Sequence, residues 1–288
     1  MDHADAASRA WDAHAEMYAE RFAPLTSFIA RSMFTMAAPQ LPEGARVLDV
    51  ACGSGALTLP ALERARAERE RGGPGGVVFA TDFSATMVEI TGRSAAALGA
   101  PEDLIHCQRQ NGQALTYSDG EFDGVFSCFG IFLFDDRVAG WREAGRVLKP
   151  GGVFATAVWQ GPETNAMLRE QVVPIMQALP EALRPTSRAP WMEIADAASL
   201  EREIAGLDLF TDIRVRPFHA TIAMAPWQFA WDALRDNPVM RTLLTKCNPA
   251  ELEAVKASLF AHFRRLAAGD DQPLLLDSAC NILIARRR

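Results

Sequence analysis

One segment constrains this chain more than any other: Val47-Leu48-Asp49-Val50-Ala51-Cys52-Gly53-Ser54-Gly55-Ala56-Leu57-Thr58. A short β-rich apolar run over residues 46–51 delivers the backbone to a turn holding two glycines, and residues 56–71 then read as a helix. Glycines let such a turn close tightly and approach a ligand, while the opening helix offers unpaired N–H groups. In open α/β sheets the ligand crevice lies beyond the carboxyl ends of the strands, at a turn of this kind.

The same alternation continues down the chain. Strands are predicted at Val77–Thr81, Leu104–Gln108, Phe122–Ser127 and, after the Lys149-Pro150-Gly151-Gly152 turn, Val153–Trp159. Helices are predicted between them at Ser84–Leu98 and Asp136–Leu148. Strands joined by helical crossovers require a parallel sheet covered on both faces, a doubly wound α/β fold. Beyond Trp159 the pattern reads as irregular, then gives strand-like runs at Asp212–Ala223 and Leu274–Ala285 that complete the same sheet. Between these two lies an amphipathic helical stretch, Pro226–Ala268, read as an insertion over the strand ends. Residues 5–40 are helical in character, with Trp11, His14, Met17, Tyr18 and Phe22 three to four apart. The charge run Glu63–Arg71 mixes signs at helical spacing and reads as a solvated face, and Arg286-Arg287-Arg288 as a solvated tail.

Composition removes several function classes. The 288 residues carry a formal charge of −7, with 29 Lys plus Arg against 36 Asp plus Glu, which disfavours a nucleic-acid partner. No apolar run approaches the ~20 residues of a membrane span, and Met1-Asp2-His3-Ala4-Asp5 lacks a signal-peptide pattern. The five cysteines, Cys52, Cys107, Cys128, Cys247 and Cys280, form no CxxC pair, so reduced thiols in a cytoplasm and no metal site are expected. Oligomeric state is open.

The site residues follow from the strand ends. A dinucleotide fingerprint needs a third Gly or Ala at position 58, which is Thr58. Asp49 is either a structural acid bonding loop amides or part of a ligand site. Asp82, ending Thr81-Asp82-Phe83-Ser84, either accepts hydrogen bonds from ribose hydroxyls or caps the helix beginning near Ser84. Phe83 and Met87 either flank an adenine or belong to the core. Asn111, in Gln110-Asn111-Gly112-Gln113, offers both a donor and an acceptor to an adenine edge.

With Glu121-Phe122-Asp123-Gly124-Val125 and Arg146-Val147-Leu148-Lys149-Pro150-Gly151-Gly152, these motifs make residues 45–160 resemble the class I S-adenosylmethionine-dependent methyltransferases. The resemblance is closest to the branch with ubiquinone/menaquinone-biosynthesis and natural-product small-molecule methyltransferases. It implies a Rossmann-like, seven-stranded, mostly parallel sheet with an N-terminal helical lid over residues 1–44 and a SAM-binding core over residues 45–160. Residues 161–288 would add the remaining strands and a substrate-capping insertion in the same domain. Asp49, Ala51, Cys52, Gly53 and Gly55 would face the methionine part of the cofactor, with Asp82 on the ribose. Met87, Asn111, Gly112 and Gln113 would meet the adenine, and Ser127 and Cys128 would lie beside the sulfonium. Trp11-x-x-His14-x-x-x-Tyr18 resembles the family's lid, with Tyr18 on the cofactor and His14 as the candidate general base.

The sequence departs from that family twice. Position 111 is usually Asp, and a histidine pair common after the fourth strand is replaced by Ile131-Phe132-Leu133-Phe134. Trp11, Phe129, Phe132 and Trp159 therefore imply an apolar acceptor pocket, widened by Phe134, Trp191, Trp227 and Trp231. The expected activity is methyl transfer to a small, largely apolar or aromatic metabolite. The alternative is a SAM-binding protein without methyl transfer, either a regulator or a cyclase or decarboxylase retaining the cofactor.

Overall fold

The computed structural model describes residues 3–224, 230–236, 238–269 and 272–288. Seven strands form one sheet: β1 (Arg46–Val50), β2 (Val77–Asp82), β3 (Ile105–Arg109), β4 (Phe122–Cys128), β5 (Leu148–Trp159), β6 (Phe210–Met224) and β7 (Leu274–Arg287). Their order is β3-β2-β1-β4-β5-β7-β6. The first five strands are parallel, with Asp49 of β1 opposite Ala80 of β2 and Phe126 of β4. β7 is antiparallel: Gln160 at the end of β5 donates to Ala279 O, whereas Arg286 reaches Gly151 O near its start. The expected mostly parallel, seven-stranded α/β sheet is what the chain forms.

Of the four crossovers among the parallel strands, that from β3 to β4 has no helix, and the other three are helices α4 (Thr58–Glu70), α5 (Ala85–Ala97) and α6 (Arg137–Val147). Each of the last two starts where a side chain satisfies an orphan amide: Ser84 Oγ accepts from Met87 N, and Asp136 Oδ1 from Ala139 N. Strand order reverses about β1, which has β2 on one side and β4 on the other, so the crevice of such sheets falls at the ends of these three strands. β5 begins earlier than its turn motif suggests. Leu148 already pairs with Phe122, and the next matched pair is Gly124 with Val153, so Lys149–Gly152 bulge out of the ladder, with Gly151 at φ +75°.

Three helices precede the sheet: α1 (His3–Asp12), α2 (Ala15–Arg21) and α3 (Ala23–Ala37). The region after Trp159 is not irregular as its pattern suggests. It contains α7 (Ala166–Ala178), capped by Asn165, and α8 (Ala197–Ala205). Pro174 inside α7 and the short length of α8 conceal the helical period. The described part of the predicted amphipathic stretch is α9 (Ala230–Asp236), α10 (Pro238–Leu244) and α11 (Pro249–Leu266). Pro226 and Trp227 lie outside the described residues. No described helix is long and apolar enough to cross a membrane.

The chain packs into two compact units. The first comprises Met1–Val158, Ala197–Arg216 and Asn281–Arg288; the second comprises Trp159–Asp196 and Pro217–Cys280. In the first, Trp141 meets Phe154 edge-on and Phe154 stacks on Phe210, with the indole N–H donating to Glu203, which also pairs Arg137. In the second, α11 packs against α7 through Val255, Leu259 and Phe263, and His262 pairs Glu170. The charges of α4 are not a merely solvated face. Glu68 is buried, accepts from Gly44 N and pairs Arg64, while Arg69 holds Asp103 and Glu63 holds Arg31. Nor is the final arginine run a free tail, because Arg286, Arg287 and Arg288 all donate to main-chain carbonyls.

Candidate functional site

At the end of β1 the backbone turns through Ala51, a non-glycine residue at φ +57°, then Gly53 at φ +55° and Gly55 at φ +93°. Cys52 N donates to Thr81 O of β2, and Gly55 N to Cys52 O, which closes the loop on itself. A Cβ on Gly53 would project into open space, whereas one on Gly55 would press on Thr91. Thr91 of α5 donates its hydroxyl to Gly53 O from below. The loop is therefore braced from the core side and bare on the other side at Gly53. Cys52 is buried beneath it, and burial pushes its thiol well up.

Two carboxylates support this loop. Asp49 is 1% exposed in β1, and Thr58 of α4 donates to its Oδ2 at 2.6 Å. Burial pushes it up to about 7, with Asp82 adding repulsion. Asp82 ends β2, accepting from Gly53 N at 3.0 Å on one oxygen and from Ser84 N at 2.9 Å on the other. Burial raises it to about 6 against the pull of those amides. Ser84, not Asp82, is the helix cap, and Asp82 ties the glycine loop to β2. A carboxylate has four lone-pair positions, and with the Gly53, Ser84 and Phe83 amides on three of them Asp82 keeps acceptor capacity for a further donor.

Met87 is buried on α5 among Ala15 and Ile90, with Trp11, Tyr18 and Ala19 packed against them, while Phe83 is half-buried beside Asp82. Asn111 is exposed, and its Oδ1 accepts from Gln113 N as an Asx turn. Gly112 is required sterically, since a Cβ there would meet Phe134 at 2.6 Å. Gln113 accepts from Asp136 N and so links this loop to α6.

At the end of β4, the Ser127 hydroxyl accepts from Ile131 N, and Phe129 stands at φ +59°. Gly130 follows because a Cβ there would lie 2.5 Å from Ala51 Cβ. Phe129 and Phe132 are buried, with their rings edge-on at 6.5 Å. Half-buried Cys128 approaches Thr26 O of α3. The Tyr18 hydroxyl, pushed up to about 12 by burial, bonds the Thr26 side chain and feels both Cys128 and Asp82. Trp11 meets Tyr18 edge-on. His14 is buried between α1 and α2, its Nδ1 2.6 Å from Ala10 O, which places the lone pair of the neutral ring on Nε2. Trp159 and Trp191 belong to the second unit, as does Trp231, whereas Trp11, Phe129, Phe132, Phe134 and the predicted cofactor residues belong to the first.

Five contributors escaped the sequence reading. Thr58 and Thr91 brace Asp49 and Gly53. Asp12 of α1 accepts from Ser84 Oγ at 2.6 Å and from Thr86 N at 3.2 Å. Arg109 donates to Phe83 O, which Ser8 of α1 also bonds. No local signal announces these pairings, since the partners stand 9 to 75 positions apart. A cleft at the opposite ends of β4 and β5 is lined by Arg142, Arg146 and Arg287. Its Arg146 is held by Glu143 and Asp119, and Arg287 by the Gly145 and Leu209 carbonyls.

A sheet of this order, with a glycine loop after β1 and an acid at the tip of β2, is that of the class I S-adenosylmethionine-dependent methyltransferases. Residues 27–176 match the ubiE/COQ5 methyltransferase family, and the chain belongs to that family. It is 34% identical over 146 residues to an uncharacterised protein of Mycobacterium tuberculosis, covering 51% of this chain and 46% of that one. It is 31% identical over 147 residues to the ubiquinone/menaquinone biosynthesis C-methyltransferase UbiE of Hahella chejuensis, covering 51% and 56%. The chain thus spans about half the length of the curated relatives it matches. The solved YcgJ protein of Bacillus subtilis shares the fold at a TM-score of 0.56 and 17% identity, covering 89% of this chain and 98% of that one.

Proposed function

We propose that this chain transfers a methyl group from S-adenosylmethionine to a small, largely apolar or aromatic acceptor in the cytoplasm. The observation that carries this reading is the loop at the end of β1: bare at Gly53, tethered through Gly53 N to Asp82, and underlain by Asp49. The cofactor, when bound, supplies an activated methyl on a positively charged sulfonium. Two buried carboxylates at raised proton affinity suit a cationic ligand, which would hold them ionised.

In this reading Gly53 and Gly55 give the backbone close approach, and Asp82 turns its remaining acceptor capacity to the ribose. The exposed Asn111, with Gly112, Gln113, Phe83 and Met87, would take the adenine. Ala51, Cys52, Ser127 and Cys128 line the carboxyl ends of β1 and β4. The N-terminal helices, carrying Trp11, His14 and Tyr18, would close over the cofactor and exclude water. Phe129 and Phe132 support an apolar acceptor. The protein's task is alignment of acceptor and methyl, because the donor arrives activated. His14 Nε2 is the candidate site for removing a proton from the acceptor. The cysteines of the described residues are all free, which suits a reducing compartment.

Calorimetric titration with S-adenosylhomocysteine, with NADH as control, tests the reading. Micromolar binding of the first and none of the second is expected. Asp82→Ala should weaken that binding at least about tenfold, or roughly 1.4 kcal/mol. Folded protein that ignores S-adenosylhomocysteine would remove the proposal.

A further inference from the structure

The residues below the glycine loop form a hydrogen-bond chain that does not stop at the core. Thr91 Oγ1 donates to Gly53 O, and Gly53 N donates to Asp82 Oδ2. Asp82 Oδ1 accepts from Ser84 N, and the Ser84 hydroxyl both accepts from Met87 N and donates to Asp12 Oδ1. Asp12 takes a second bond, from Thr86 N. An acid from α1 is therefore capping the amino terminus of α5, a helix 72 residues away, alongside that helix's own cap. The surroundings reinforce the contact, since Ser8 and Arg109 both bond Phe83 O in the turn between Asp82 and Ser84.

We propose that Asp12 is a positioning residue for the cofactor site: by orienting the Ser84 hydroxyl and holding Thr86 N–H, it fixes the Asp82-Phe83-Ser84 turn and, through Asp82, the glycine loop. Helix α1 is thereby a working part of the site as well as a cover for it. The physical basis is orientation. A serine hydroxyl has one hydrogen, and committing it to Asp12 leaves a lone pair for Met87 N. Losing that acceptor frees the hydroxyl to rotate, leaves Thr86 N without Asp12, and loosens the turn that presents Asp82. Because docking of α1 and binding at Asp82 share this turn, each favours the other by the same factor.

This inference rests on the cofactor reading above, and the test separates the two. S-adenosylhomocysteine affinity is measured by calorimetry, and amide hydrogen exchange over residues 3–21 without ligand, for wild type, Asp12→Ala and Asp12→Asn. Glu16→Gln, which removes an exposed pair between α2 and Arg93 of α5, serves as control. Asp12→Ala should bind about five- to tenfold more weakly and exchange faster over residues 3–21, in line with the loss of a helix cap. Asp12→Asn keeps an oxygen acceptor and should restore most of both, while Glu16→Gln should match wild type. Wild-type behaviour of Asp12→Ala in both measurements would overturn the assignment. Equal loss in Asp12→Asn would overturn the capping geometry. If wild type itself fails to bind S-adenosylhomocysteine, the cofactor reading falls, and the exchange data alone decide whether Asp12 holds α1 to α5.

Discussion

Two buried acids under one loop set a pH dependence whose direction can be worked out. Asp49 and Asp82 are raised to about 7 and about 6 from an ordinary 3.8, so the folded chain holds these protons more tightly than the unfolded one. Their contribution to stability is complete below about pH 4 and is lost as pH rises through 6 and 7. Asp49→Asn keeps an acceptor for Thr58 and removes the charge. Its melting temperature should therefore gain on wild type more at pH 8 than at pH 5, and a gain equal at both would contradict the burial argument. Cofactor affinity should run the other way, rising between pH 5.5 and 7.5 as a cationic ligand meets carboxylates that no longer need to shed protons. At the same scale, Gly53→Ala meets no atom but forces a side chain to φ +55°, so it should cost about 1 kcal/mol in urea unfolding. Asp82 and the glycines were readable in the sequence because strand, turn and helix signals fix where they stand. Asp12, Thr58 and Thr91 were not, because a lone acid or hydroxyl on a helix has no local partner to betray its role.

Among the elements, the turns after β1 and β4 are built as a pair. Ala51 and Phe129 both occupy the left-handed region, and Gly130 lets the two turns touch. Gly130→Ala would drive a methyl into Ala51 Cβ and the Ser127 hydroxyl. It should destabilise the fold by about 1–3 kcal/mol, read as a lower urea midpoint at unchanged slope. The N-terminal helices make a separate prediction, that limited proteolysis within residues 1–30 slows when S-adenosylhomocysteine is added. Unchanged cleavage would count against a lid. Crossover helices α5 and α6 were legible from their caps, and α4 from the glycine turn before it and the Gly72–Gly76 run after it. Helix α7 was not, since the pattern that announces it is interrupted by Pro174, and the β5 bulge was hidden because Gly151 and Gly152 read equally well as a turn.

For the molecule as a whole, Glu203 bonds Trp141 and pairs Arg137, so within the first unit it joins α8 to α6. Glu203→Ala strands an indole N–H and removes the carboxylate paired with Arg137, and should cost about 2–3 kcal/mol, with a shift in tryptophan emission as the readout. Chain order adds a consequence in time. β6 has a single neighbour in the sheet, β7, which begins at Leu274, fifty residues after β6 ends at Met224. During synthesis, then, β6 emerges from the ribosome with no strand to pair with, and β5 keeps a bare edge until β7 slides between them. For that interval the nascent chain offers two unsatisfied strand edges to any passing polypeptide, so the yield of native protein depends on how quickly those fifty residues are translated and on what shelters the open sheet meanwhile.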